Sequence, residues 1–354
     1  MSGEPDMFIR NAWYVAAWSS EVAERPVPRT LLGDPVVLFR RRQGGVAALL
    51  DRCCHRGLPL SLGEVRDELI VCGYHGLAYD GAGRCVGIPG QGFVSPRMRV
   101  PAYLVVEQDE LIWIWMGDPA RADRKRIPGY SYHADRQEWP HESRTQRVRC
   151  GYRLVIDNLL DLTHLAYVHK RTIGGDPDAH TRAEFSVSPT ERGVKFTRWL
   201  LNSIPPPTYV DAVGFTGRVD RWMEFEFVAP GVVYQFTGAL PVGAGAYERG
   251  ERRGGFALRI FHGITPESED SCFYFWSGSN GYRQSEPEIT HALFGALSAT
   301  FGEDAVILEA QHSSLKARPE PLLSTAHDRA RVIAERKIDE WLAAEAADLA
   351  QTGA

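Results

Sequence analysis

Two short loops in this chain carry soft metal donors in echoing patterns. Cys53-x-His55 and Cys72-x-x-His75 each supply one thiolate and one imidazole, and the stretch between them is long enough to fold back as a hairpin. Two sulfurs and two ring nitrogens brought together outline a four-donor metal site. A zinc ion in such a site would only staple a small domain.

A Rieske [2Fe–2S] cluster, in which two His replace two Cys on one of the irons, would instead move electrons. Two details favour it. Each loop contributes one Cys and one His, so each can reach both irons, and each has glycine close behind its His ("HRG", "HG"). Glycine there permits a sharp turn whose backbone N–H groups face the sulfides. Side-chain alternation along an extended loop points Cys53 and His55 one way and Cys54 the other, which makes Cys54 a bystander.

A second constellation lies in "YRLVIDNLLDLTHLAYVH" (152–169), where Asp161, His164 and His169 interrupt an apolar helical pattern. Buried polar groups need partners. Two imidazoles and a carboxylate form the facial triad of non-haem Fe(II), which leaves coordination positions open for O2. The residues alone leave the carboxylate open between Asp161 and an acid from elsewhere. Asp161 and His164 share a helix face, whereas His164 and His169 diverge by about 140° in an ideal helix. One ion holds both only if the helix loosens, so a π-type turn or a helix end is predicted between them.

The elements that must position these groups divide in two. At 354 residues the chain is too long for one ordinary core. Residues 1–119 read as a small all-β domain, with hairpin signals at 35–51 and 104–119, and "GDPARADRKRIPGY" (117–130) reads as a linker. Residues 120–354 read as an α+β domain: the 152–169 helix, strand segments at 183–201, 212–240 and 255–278, and closing helices at 288–315 and 327–349. "KRTIGGDPDAHTR" (170–182) reads as a mobile loop, either over the pocket or simply on the surface.

The net charge of −5 argues against nucleic acid as a partner. The N-terminus lacks a basic stretch followed by an apolar run, and no segment approaches 18 uninterrupted apolar residues, which points to the cytoplasm and no membrane. Six scattered cysteines fit a reducing compartment. The chain shows no G-x-G-x-x-G after a strand and no spare cysteine cluster.

The chain resembles the oxygenase component of Rieske non-haem iron oxygenases, and within them the group acting on vanillate, dicamba and toluenesulfonate. The residues that carry the resemblance are "NAWYVAAW" (11–18), "CCHRGLPLSLG" (53–63), "CGYHGLAYDGAG" (72–83), "IPGQ" (88–91), "ELIWIWMGDP" (110–119), "IDNLLDLTHLAYVH" (156–169), "ITPE" (264–267) and "EDAVILEAQ" (303–311). It implies an all-β Rieske domain followed by a helix-grip, START-like α+β domain with an antiparallel sheet. It implies that Cys53 and Cys72 hold one cluster iron and His55 and His75 the other, and that His164, His169 and Asp304 hold the mononuclear Fe(II). Asp161 is then freed to bridge the two metal centres, hydrogen-bonded to an iron-ligating His and to a Rieske His. Asn158 would stand close to the iron. Cys54 occupies a position that is commonly Pro.

The same resemblance implies O2 as co-substrate, NADH electrons delivered by a separate flavin and ferredoxin-type reductase, and a head-to-tail homotrimer in which His75 of one subunit meets Asp161 of the next. The implied reaction is hydroxylation of a methyl or methoxy group on an aromatic acid; a methoxy group then yields a phenol and formaldehyde. Methyl hydroxylation without loss and ring dihydroxylation are the alternatives within the class, and a Rieske electron carrier fused to a ligand-binding domain is the non-enzymatic one. His262, in "RIFHGITPE", is the expected pocket residue. Arg40, Arg41 and Arg42 either dock an acidic reductase or form a solvated turn. His133, His141, His180, His291, His312 and His327 have no motif context.

Overall fold

The computed structural model describes residues 7–170, 172–175 and 177–352. They form two compact units: the described residues up to Gly129 with Thr265–Glu269 and the chain from Ala344 onward, and a second unit of Tyr130–Ile264 with Asp270–Ala343.

The first unit contains β1 (Trp13–Trp18), β2 (Val27–Leu31), β3 (Asp34–Arg40), β4 (Val46–Leu50), β5 (Glu64–Arg66), β6 (Leu69–Val71), β7 (Ala78–Tyr79), β8 (Cys85–Gly87), β9 (Ala102–Gln108) and β10 (Leu111–Trp115). They make a six-stranded sheet, ordered β1-β10-β9-β4-β3-β2, and a four-stranded sheet ordered β5-β6-β7-β8. The β9–β10 hairpin turns on Asp109 and Glu110, both at positive φ (55° and 62°). A two-residue turn of that handedness matches the twist of the flanking strands. Val37, Phe39, Leu49, Leu60, Ile70 and Tyr79 form the core around Cys53 and Cys72.

The segment read as a linker, 117–130, packs onto this unit as far as Gly129. Indoles on buried strands need acceptors for their N–H groups, and Trp13 and Trp115 find them in the carbonyls of Asp123 and Asp118, each at 2.9 Å. Two short 3-10 turns result, capped by the Asp118 and Asp123 side chains. The unit is also tied at its other pieces: Thr265 donates to the Val15 carbonyl at 2.7 Å, and the Glu345 carboxylate accepts from the backbone N–H groups of Arg10 and Asn11.

The second unit contains β11 (His141–Val148), α1 (Tyr152–Leu160), α2 (Leu165–Val168), α3 (Pro177–Thr181), β12 (Glu184–Pro189), β13 (Gly193–Ser203), α4 (Pro207–Val213), β14 (Val219–Val228), β15 (Val232–Pro241), β16 (Phe256–Ser268), β17 (Ser271–Asn280) and α5 (Pro287–Ala317). The last helix, α6 (Arg329–Thr352), begins here and ends in the first unit. The sheet has seven strands, ordered β11-β17-β16-β15-β14-β13-β12, with antiparallel pairing, so this is the expected α+β architecture. The strand-like segment 183–201 is a hairpin, and 212–240 opens with the end of α4, closed by Gly214 in the left-handed region (φ 72°). On α5, Leu293, Leu297, Phe301, Asp304 and Leu308 are buried at spacings of three and four, the single stripe a helix turns toward a core.

The 152–169 helix is broken, and not by a π-type turn. Asp161 leaves the helix (φ −117°, ψ 102°) and its Oδ1 accepts from the backbone N–H and the hydroxyl of Thr163, at 2.9 and 2.6 Å. That capping starts a 3-10 turn, Leu162–His164, and α2 then ends at Val168, so His169 lies just past a helix end. Two described residues after it fold back onto the helix end. The N–H groups of Thr172 and Gly174 donate to the His169 carbonyl, and a Cβ on Gly174 would stand 2.3 Å from the Leu165 carbonyl oxygen. Arg171 and Asp176 lie outside the described residues.

Candidate metal centres

The two Cys/His loops are built alike. In the first, Cys53 N–H donates to Leu58 O (2.8 Å) and Gly57 N–H to Cys53 O (2.9 Å); in the second, Cys72 N–H donates to Leu77 O (2.8 Å) and Gly76 N–H to Cys72 O (3.0 Å). Gly57 and Gly76 both sit at positive φ, 74° and 69°, which is the reason each loop needs glycine there. His occupies the third place of one loop and the fourth of the other, and the two rings meet with centroids 4.7 Å apart. The sulfurs are buried and the imidazoles exposed. Burial raises the Cys72 thiol pKa, with the neighbouring Cys53 adding to it, while the backbone N–H groups of Tyr74 and His75 act in the opposite direction. Those N–H groups suit a thiolate.

Cys54 departs from its expected orientation. Its sulfur lies 3.2 Å from the Tyr79 hydroxyl, which is also 3.1 Å from the Cys53 sulfur. Strand alternation does not govern residues 54–56, because they form a turn. Burial and both sulfurs push the Tyr79 pKa well up, so its O–H stays a donor; toward a deprotonated, metal-holding Cys53 it can only donate.

Among the described residues the donors that converge as ligands of a single ion do are His164, His169 and Asp304, all within 4.8 Å of one another. His169 Nε2 is 3.1 Å and His164 Nε2 3.5 Å from Asp304 Oδ1. Behind the rings, His164 Nδ1 faces the Asp161 carbonyl at 2.5 Å and His169 Nδ1 faces Glu303 Oε2 at 2.7 Å. Both partners only accept, so each Nδ1 carries a hydrogen, which leaves the two Nε2 atoms beside Asp304 as the positions that can ligate an ion. Asn158 Nδ2 donates to the same Asp304 Oδ1 at 3.1 Å.

The electrostatics separate the two histidines. Burial lowers the His164 pKa, only partly offset by Asp304. Burial also works against the charged form of His169, but the hydrogen bonds and charges of Asp304 and Glu303 outweigh it and hold that pKa raised. Asp161 contacts His164 differently from what the resemblance implied. Its backbone carbonyl, not its carboxylate, holds Nδ1, while Oδ1 of the carboxylate caps the turn through Thr163.

A cavity of about 670 Å³ of empty space, its mouth included, opens beside the triad. Its sheet wall is three cross-strand rows from β14, β15 and β16: Arg221–Ala239–Phe256, Met223–Thr237–Leu258 and Phe225–Gln235–Ile260. All of these but Ala239 line the cavity, as period-two alternation requires of one face. Leu293, Leu297, Thr300 and Phe301 of α5 form the opposite wall. A mostly apolar lining with a few placed polar groups is the make-up of a small-molecule site.

His262 does not line this cavity. It shares the inward parity of Leu258 and Ile260, but Tyr274 and Phe301 close over that end of the sheet, with ring centroids at 5.9 and 5.7 Å. Its ring bonds the Tyr274 hydroxyl (2.7 Å) and the Gln235 side-chain oxygen (3.0 Å), and burial lowers its pKa to about 3, so it is neutral. Gln235, Glu303 and Arg221 were not singled out in the sequence. Glu303 had a signal, standing next to Asp304; the other two depend on which strand face turns inward.

Comparison with known proteins joins the two regions. Residues 12–101 match the Rieske [2Fe-2S] domain and residues 148–344 the vanillate O-demethylase oxygenase C-terminal domain. The chain is 38% identical over 344 residues to the iron–sulfur subunit of the toluene-4-sulfonate monooxygenase system of Comamonas testosteroni, covering 96% of this chain and 98% of that one. It is 38% identical over 357 residues to the vanillate O-demethylase oxygenase subunit of a Pseudomonas species (strain HR199), covering 97% and 98%. Dicamba monooxygenase bound to 3,6-dichlorosalicylic acid superposes with a TM-score of 0.90 at 34% identity, covering 96% of this chain and 99% of that one. A structure of the same enzyme with non-heme iron and dicamba gives 0.80 at 32% identity, covering 97% and 99%. No helix among the described residues is long and apolar enough to cross a membrane. With a Rieske domain and a matching oxygenase domain on one chain, this protein belongs to the vanillate O-demethylase oxygenase family of Rieske monooxygenases, oxidoreductases that work as one component of a multicomponent system.

Proposed function

We propose that this chain is the oxygenase component of a Rieske monooxygenase that hydroxylates a methyl or methoxy group of an aromatic acid, using O2 and NADH-derived electrons from a separate flavin and ferredoxin-type reductase. The observation that carries this reading is the convergence of His164, His169 and Asp304 beside an apolar cavity, in a chain that also bears a Rieske domain. Cys53, His55, Cys72 and His75 would hold the cluster, and His164, His169 and Asp304 the mononuclear iron. Single-electron delivery and O2 activation are the chemistry those groups supply when bound.

The chain's own residues do the rest. The Asp161 carbonyl and Glu303 fix the Nδ1 hydrogens of the two histidines, so both present Nε2. Asn158 holds Asp304 by the oxygen that faces the rings. The rows of Met223, Leu258, Phe225 and Ile260, with Leu297 and Phe301 opposite, exclude water from the reacting ring. A hydroxylated methoxy group is a hemiacetal, which collapses to a phenol and formaldehyde.

For assembly we infer a head-to-tail homotrimer in which His75 of one subunit meets Asp161 of the next; the exposed His75 ring supports it. We place the protein in the cytoplasm, supported by cysteines that are few and scattered along the sequence. The test is a panel of methoxy- and methyl-substituted benzoates and arylsulfonates with a ferredoxin-type reductase. Substrate-dependent NADH and O2 consumption, with formaldehyde from the methoxy compounds, is expected, and light scattering on the same preparation should give the mass of three 39.5 kDa chains. No stimulation by any aryl acid would overturn the reaction, and a monomer the assembly.

A further inference from the structure

We propose that Arg221 anchors a single anionic head group, carboxylate or sulfonate, of the substrate. This deepens the reading above and rests on it for the identity of the aromatic ring. Arg221 is only 2% exposed, yet it lines the cavity at the end of the sheet wall marked by Phe256. Part of its hydrogen-bonding capacity is unspent, although the Tyr209 hydroxyl takes up some of it. Nη1 donates to the Gly174 carbonyl at 3.3 Å, the guanidinium carbon sits 4.9 Å from the centre of the Tyr209 ring, and the buried Nε has no partner. Among the described residues no carboxylate forms an ion pair with it.

That arrangement is costly unless something completes it. A guanidinium stays charged at any physiological pH, and a buried charge needs a counter-charge or a full set of acceptors. The Gly174 carbonyl and the hydroxyl and ring of Tyr209 supply part of that, and none of them carries a full negative charge. The surroundings add more positive character, not less. Arg198 on β13 is likewise buried, gives one hydrogen bond to the His180 carbonyl and has an orphaned Nε. The carboxylate that favours its charge is Asp161, so the Asp161 charge is already shared with another cation. His180 is held down to about 4 by burial first and Arg221 second, so it remains neutral and provides no anion.

The remaining polar groups on the strand rows, Gln235 and Thr237, are neutral and bonded to each other at 3.0 Å. Among the described residues none supplies the negative charge that would complete Arg221, and an anionic occupant of the cavity would. A planar fork suits the paired oxygens of a carboxylate or sulfonate. From Arg221 to Phe225 along β14 is about 13 Å, which leaves room for an aromatic ring over the Met223 row. Water alone in the cavity would solvate the guanidinium but would leave no preference for anions, and that preference is what can be measured.

Titration calorimetry on the purified full chain carrying its metals tests this with matched probes: 4-methylbenzoate and toluene-4-sulfonate against their neutral amides, 4-methylbenzamide and toluene-4-sulfonamide. The wild-type chain should bind the anions at least about tenfold more tightly than the amides. Arg221→Met should weaken anion binding on the order of a hundredfold while leaving the amides little changed, and Arg221→Lys should restore part of it, since it keeps the charge and loses the fork. Which anion binds more tightly tells carboxylate from sulfonate. Equal affinity for anions and amides in the wild type, or an intact preference in Arg221→Met, overturns the anchor. The wild-type comparison needs no variant, so a poorly folding Arg221→Met leaves the test in place. Arg221-dependent anion binding with no aryl methyl oxidised would sink the proposed reaction and keep the anchor; oxidation of methyl arenes with no anion preference would do the reverse.

Discussion

The cluster loops and the triad are built by opposite rules. Each loop is closed within six residues by its own backbone hydrogen bonds and presents its imidazole to solvent. The triad joins His169, at the end of α2, to an acid on α5 across 135 positions, with His169 only 1% exposed, Asp304 7% and His164 half-buried. A group that exchanges electrons with another protein has to be reachable, while a site that handles a reactive oxidant has to be dry. The difference also separates what each site depends on: short-range turn chemistry for one, the packing of a whole sheet and helix for the other.

The largest expected effect tests whether the two sites are independent. Asp304→Ala removes the one carboxylate of the converging set, so iron should fall from about three to about two per chain while acid-labile sulfide and the visible cluster spectrum persist. Turnover should drop by more than about a thousandfold. If the cluster spectrum were lost as well, the contrast between a self-contained loop pair and a separate triad would be wrong.

The next effect probes what burial costs the second unit. Asp157 lies on α1 beside Asn158, with one carboxylate oxygen unpartnered and the other 3.7 Å from Arg331. Burial, reinforced by Glu335 and opposed by Arg331, pushes its pKa up to about 7 from 3.8. Between those values the folded chain holds a proton that the unfolded chain has lost, so stability is greatest near pH 4 on this account and falls as pH rises to about 7. Asp157→Asn should remove that slope and gain on the order of 2 kcal/mol at pH 8 in urea unfolding. A variant less stable than wild type at both pH 5 and pH 8 would show that the Arg331 contact outweighs the desolvation.

The smallest effect belongs to the cluster loops. Tyr79→Phe deletes the hydroxyl shared by the Cys53 and Cys54 sulfurs. Hydrogen bonds to ligand sulfurs stabilise the reduced cluster, so the reduction potential should fall by roughly tens of millivolts with both metals still bound. An unchanged potential by redox titration would mean that the hydroxyl serves Cys54 alone.

How much of this could be read in the sequence follows the same division. The Cys/His loops and the Asp161–His164–His169 stretch were legible because their spacing is local and their residue types are uncommon in such settings. Of the two ways to loosen the helix between His164 and His169, the structure takes the helix end, at Val168, and Asp161 adds a second break by capping the 3-10 turn before them. Cys54 was misjudged because alternation was applied to a turn. Arg221 and Gln235 were not visible at all, since they look like ordinary strand residues until β14, β15 and β16 are set in register. His262 had the right parity, and only the placement of Phe301 and Tyr274 shows that its end of the sheet is closed.

The three cross-strand rows behind the cavity carry one more consequence. Their strands are joined by main-chain groups, which are indifferent to side-chain identity, while the side chains alone shape what fits. A lineage can therefore exchange Met223, Thr237, Leu258, Phe225 or Ile260 with little disturbance to the ladder, provided volume is roughly kept. Substrate range on this scaffold behaves like the type set in a fixed printing frame, and a designer wishing to redirect the enzyme would compose there first, leaving the frame that carries His164, His169 and Asp304 untouched.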